Sequence, residues 1–95
     1  MGSDVEIIVG GNLRIANGKR REFIERSHKA VQHARAHSAC IDFSVSADPV
    51  DPNRVNIFEA WTSEEALQKF RGEGPDDGLF ELVESAAVSE YRVSK

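Results

Sequence analysis

From Val5 to Ile15 the apolar side chains fall on every second residue: Val5, Ile7, Val9, Leu13 and Ile15, with Gly11 in step. A period of two is the mark of a strand with one buried face. The intervening positions, Ile8, Gly10, Asn12 and Arg14, are mixed in character. A sheet that starts this way needs a cover on one side and can leave the other open. Gly10-Gly11 inside the strand points to a bulge or to the close approach of another backbone. The chain has 95 residues, which argues for one domain, expected over 4–94. Folding at this size hides roughly 60–70% of the unfolded surface, so the core is thin and a second copy would help to cover it.

Asn17-Gly18 ends the first strand, and a helix is expected to about His37, with Asn17 as its cap. Phe23, Ser27, Ala30 and Ala34 form the inner stripe, with Ile24 and Val31 beside it. Lys19, Arg20 and Arg21 open this helix against its dipole. They read as a solvated basic end balanced by Glu22 and Glu25, or as an end that attracts an anion. Ala39 to Ala47 is the second strand, with Ile41, Phe43 and Val45 on one face. Asp48-Pro49-Val50-Asp51-Pro52-Asn53 is rich in turn formers, so Arg54 to Trp61 should return as an antiparallel partner. Thr62-Ser63-Glu64-Glu65 reads as a capping box with Thr62 at the cap. The helix it opens is expected to reach about Arg71, with Ala66, Leu67 and Phe70 inward. Gly72 to Gly78 breaks it. Leu79 to Glu84 reads as a short helix, and Ala86 to Val93 as the last strand.

The order β-α-β-β-α-β is the ferredoxin-like plan: an α+β fold with an antiparallel four-stranded sheet and both helices on one face. The uncovered face would carry Ile8, Cys40, Phe58 and Ala60, and a homodimer packed through this open face is the simplest partner.

Composition narrows the function classes. Hydrophobic residues make up 40% and charged residues 29%, with a net charge of −4 and a pI near 5.3. Such a balance argues against nucleic acid or an anionic membrane as partner. No apolar run approaches the roughly 20 residues of a membrane span. The lone Cys40 forms no internal disulfide, which fits a cytoplasmic location.

Alternation puts Val55, Ile57, Glu59 and Trp61 on one strand face. A carboxylate among apolar neighbours is costly to ionise, so its pKa rises and it becomes a candidate general base. The alternatives are an Arg partner or a frayed, solvated strand end. Trp61 is core, or it walls a pocket. His33 and His37 are four apart on the first helix, with His28 on the other flank. No carboxylate or Cys completes a ligand set at regular spacing, so no metal is expected. Cys40 reads as a small buried hydrophobe. The segment Arg71 to Gly78 lacks the Gly-Lys-Ser/Thr ending of a phosphate loop and reads as a lid or a plain connector.

Gly18-Lys19, Ala39-Cys40-Ile41-Asp42-Phe43, Asp51-Pro52 and, most specifically, Glu59-Ala60-Trp61-Thr62-Ser63-Glu64-Glu65-Ala66-Leu67 complete a pattern. By these residues the chain resembles the antibiotic biosynthesis monooxygenase domain family of the dimeric α+β barrel superfamily. The resemblance implies a homodimer with a ligand cleft between sheet and helices. It also implies oxidation of a small aromatic (a phenol, quinol or polyketide-like substrate) by O2 without flavin, haem or metal. Phe43, Ile57, Trp61, Leu67, Phe70 and Phe80 are the expected walls, and Glu59 or a His the expected base. The alternative is a non-catalytic binding protein for an apolar aromatic metabolite, and a polyketide isomerase or cyclase is a third reading. Relatives often carry a His at the position of Phe70. Haem degradation is disfavoured, because Phe80 stands in the segment where those relatives have an axial His and alternation turns Asn12 away from Leu13.

Overall fold

The computed structural model describes residues 4–73 and 78–94. Strand β1 (Ile7–Ile15) leads into helix α1 (Arg20–Arg35), followed by β2 (Cys40–Ala47) and β3 (Arg54–Trp61). Helix α2 (Glu64–Glu73), a short 3-10 turn (Leu79–Leu82) and β4 (Val83–Arg92) complete the order. The four strands form one sheet in the order β2-β3-β1-β4, and every neighbouring pair is antiparallel. The ferredoxin-like α+β plan is therefore the observed architecture.

The alternation of β1 determines what lies inside. Ile7, Val9, Leu13 and Ile15 are buried while Arg14 is exposed. One core cluster joins Ile7, Val9, Ala34, Phe43, Trp61 and Leu67. A second joins Leu13, Ile15, Phe23 and Val55. Gly11 explains itself through β4: a Cβ there would lie 2.1 Å from the Ala87 carbonyl oxygen, and its φ of +153° disfavours any other residue. Gly11 thus marks a close backbone approach, whereas a Cβ at Gly10 would meet nothing within 4 Å. The β1–β3 register runs without a break past it, so Asn12 stays opposite Asn56 on the open face.

Several boundaries differ from the sequence reading, each for a local reason. Helix α1 has Lys19 at its N-terminal boundary and no side-chain cap. The Asn17 cap is absent because Gly18, at φ +79°, carries the chain through a turn in which Lys19 N–H donates to the Ala16 carbonyl at 2.9 Å. Arg20 is not free for an anion: its guanidinium donates to the carbonyls of Asp48 and Asp51 at 3.1 and 2.8 Å, tying α1 to the β2–β3 turn. Helix α2 is capped by Ser63, whose Oγ accepts the Ala66 N–H at 3.1 Å. Thr62 instead continues the strand edge, donating its N–H to the Ala39 carbonyl at 2.8 Å.

A register shift between Cys40 and Asp42 leaves Ile41 without a partner on β3. This bulge turns Cys40 towards Trp61 and the first core cluster, and it leaves Ile41 40% exposed. Cys40 therefore does not belong to the open face, where Ala60, Ile8 and Tyr91 are in register across β3, β1 and β4 and Phe58 stands opposite Gly10. Among the described residues no helix is long and apolar enough to cross a membrane.

Candidate active site

The register lines up one row of side chains across the helix-covered face. Phe43 on β2 is opposite Glu59 on β3, Glu59 is opposite Val9 on β1, and Val9 is opposite Glu90 on β4. The adjacent row, two residues on, runs from Cys40 through Trp61 and Ile7 to Arg92. Glu59 and Trp61 thus share a face by strand periodicity alone. Trp61 is fully buried and Glu59 only 9% exposed.

The indole N–H of Trp61 donates to Glu59 Oε1 at 3.0 Å. Burial raises the Glu59 carboxyl above its usual range, opposed by this hydrogen bond and by the Arg71 guanidinium, and reinforced by the negative charge of Glu90. Arg71, on α2, does not hydrogen-bond Glu59; it donates to Glu90 Oε2 at 2.6 Å. A single neutral donor is sparse solvation for a buried carboxylate, and a carboxylate so placed readily takes a proton.

Aromatic rings close over this pair. Phe70, from α2, lies 5.4 Å from Trp61 and 5.6 Å from Phe43 between ring centroids. His37, just beyond the end of α1, packs at 5.9 Å from Trp61 and 5.8 Å from Phe70. The structure therefore brings together Glu59, Trp61, Phe43, Leu67 and Phe70. It does not bring in two of the expected wall residues. Ile57 packs against the second cluster. Phe80 sits on the 3-10 turn with 76% of its surface exposed, while Leu79 and Leu82 of the same turn are the residues that pack against the second cluster. The rings fill the space beside Glu59. Two surface grooves lie elsewhere, one at the start of α1 against Pro52 and Asn53, the other between α1 and Ser44–Ser46. Half of the expected lid, residues 74–77, lies outside the described residues.

Cys40 is not poised as a nucleophile. Partial burial raises its thiol pKa, and the carboxylates of Glu59 and Asp42 add to that, against Arg35.

One grouping is not legible from spacing along the chain. His33 and His37 meet Glu73, at the end of α2, with each imidazole Nε2 3.3 Å from Glu73 Oε1. The His pair is visible in the sequence as an i, i+4 repeat, although α1 ends at Arg35, before His37. Its carboxylate arrives from 40 residues away through the packing of α2.

The sequence model of the family described as antibiotic biosynthesis monooxygenase matches residues 6–75. The chain belongs to that family. An uncharacterized protein of Synechocystis sp. is 33% identical over 66 residues, covering 70% of this chain and 45% of its own length. The chain thus spans about half the length of that curated relative. Among solved structures, a protein from Shewanella oneidensis superposes with a TM-score of 0.83 at 20% identity, covering 95% of this chain and 92% of the other. A candidate antibiotic biosynthesis monooxygenase from Deinococcus radiodurans does so with a TM-score of 0.78 at 21% identity, covering 94% and 93%. At these identities the solved structures speak for the fold. For this antibiotic biosynthesis monooxygenase family member, the buried Glu59–Trp61 pair is the feature that speaks for chemistry.

Proposed function

We propose that this family member is a monooxygenase that oxidises a small electron-rich aromatic, a phenol, quinol or polyketide-like compound, with O2 and without flavin, haem or metal. The observation that carries this reading is Glu59, buried against Trp61 with its carboxyl pKa raised. Glu59 takes the acidic proton of the substrate. The resulting anion gives an electron to O2, and the two radicals join at carbon to form a peroxide. Loss of water from that peroxide leaves one oxygen atom on the product as a carbonyl. The protein's part is to bind, deprotonate and exclude water. Phe43, Trp61, Leu67 and Phe70 supply an apolar aromatic wall suited to a planar ring. The substrate enters by displacing Phe70, the half-buried ring that contacts both Phe43 and Trp61.

The active unit in this reading is a domain over 4–94, paired through the open sheet face. The half-exposed Phe58 and Tyr91 support that pairing, at 41% and 58% exposure.

Oxygen uptake by chelator-treated protein with a panel of hydroquinones and anthrones tests the reaction. Protein-dependent uptake is expected, with a product that has gained one oxygen atom from O2. Glu59→Gln should lower turnover roughly 100-fold or more, the range for loss of a general base, and leave binding intact. Saturable binding of the same compounds without uptake above the spontaneous rate would replace the enzyme with the second reading, a binding protein for an apolar aromatic metabolite.

A further inference from the structure

We propose that His33, His37 and Glu73 form a zinc site that fastens the end of α2 to α1. Among the described residues these three offer ligand atoms that all lie within 4.8 Å of one another. The spacing of each His to Glu73 suits an ion between them. Zinc bonds of about 2.0–2.2 Å at tetrahedral angles put ligand atoms about 3.3–3.6 Å apart. Both His Nε2 to Glu73 Oε1 distances are 3.3 Å.

The arrangement comes from two independent elements. His33 lies in the last turn of α1 and His37 just beyond its end, and the chain there brings the two imidazoles to the same side. On α2, Glu73 is the last helical residue and reaches across. Packing orients the imidazoles before any ion arrives. Phe70 lies 5.5 Å from His33 and 5.8 Å from His37 between ring centroids, and the two imidazoles meet edge to face at 5.3 Å. Without an ion, both Nε2 atoms must carry a proton to share the one carboxylate oxygen. With one, two imidazole lone pairs and a carboxylate make a two-His, one-carboxylate set, and water fills the fourth position. Imidazole and carboxylate ligands suit zinc among the common divalent ions.

The ion's role here is to hold structure. It fixes α2 just beyond Arg71 and beside Phe70, and so steadies the wall that covers Trp61. This inference does not depend on the oxygenase reading, and its test uses neither substrate nor oxygen.

Equilibrium dialysis of the full chain against zinc, with cobalt as a spectroscopic substitute, measures the site directly. One ion per chain is expected, with a rise in melting temperature on adding zinc. Bound cobalt should show the intense visible absorption of four-coordinate geometry. His33→Ala, His37→Ala and Glu73→Gln should each weaken binding at least tenfold, with unchanged circular dichroism. His28→Ala, an exposed His on the same helix outside the cluster, should bind like the wild type. Two results overturn the proposal: no stoichiometric binding by the wild type, or binding that Glu73→Gln leaves intact while His28→Ala weakens it.

Discussion

Asp48 and Glu59 stand towards opposite ends of the β2–β3 hairpin and are held in opposite ways. Asp48, in the turn before β3, accepts the N–H groups of Val50 and Asp51 at 3.0 and 2.8 Å and the amide of Asn56 at 3.0 Å. These donors, aided by Arg54, hold its carboxyl down to about 2. Glu59, near the end of β3, accepts the one indole N–H of Trp61, and burial pushes its carboxyl up. The same functional group is made a fixed anion by abundant donors and a proton acceptor by burial with few of them. Asp48 is committed to building the turn. Glu59 has unspent acceptor capacity, and that is why it is the candidate base.

The largest effect should come from removing the partner on the Glu59 side. Trp61→Ala empties a fully buried site and is expected to cost about 3–5 kcal/mol in urea unfolding. A loss below about 1 kcal/mol would mean that the ring is not part of the core. Trp61→Phe sharpens the comparison: it keeps an aromatic ring but deletes the donor, so the Glu59 carboxyl should rise further. Carboxyl chemical shifts followed by NMR across a pH titration would show whether it does.

Asp48→Asn probes the other end and should lower the melting temperature at neutral pH. The Asp48 pKa lies below its usual 3.8. Its stabilisation is therefore fully present above pH 3.8 and is lost as the pH falls towards about 2. The gap between wild type and variant should close over that window. A gap that does not change with pH would show that the turn needs the side chain's shape and not its charge.

The sequence made the outline readable because strand alternation is a strong signal. β1 and β3 were legible nearly residue by residue, and Glu59 and Trp61 came with them as i and i+2 on a buried face. Short-range competition was harder to read. Thr62 and Ser63 are equally good caps by residue type, and only the demand of the Ala39 carbonyl for a partner decides that Thr62 stays with the strand. Ile41 follows the alternation, yet a one-residue bulge turns Cys40 inward in its place. Of the site, Phe43, Leu67 and Phe70 follow from periodicity. The exposure of Phe80 and the meeting of Glu73 with His33 and His37 depend on where α2 and the segment after it come to rest, and no local pattern encodes that.

The smallest expected effect is the most diagnostic, because its sign is opposite to that of Asp48. Glu59→Gln keeps an oxygen that can accept the Trp61 N–H and removes only the ionisation. In the wild type the folded state binds the Glu59 proton more tightly than the unfolded chain, whose carboxyl titrates near the ordinary value of 4.5. Stability attributable to Glu59 is therefore full below pH 4.5 and declines as the pH rises through the higher folded value. The variant lacks this decline. Compared by urea unfolding between about pH 4 and 8, the two proteins should match at the acid end, and the variant should become the more stable at neutral pH. If instead the wild type is the more stable at neutral pH, Glu59 is a well-solvated anion like Asp48. The difference between the two ends of the hairpin would then disappear, and with it the case for Glu59 as a base.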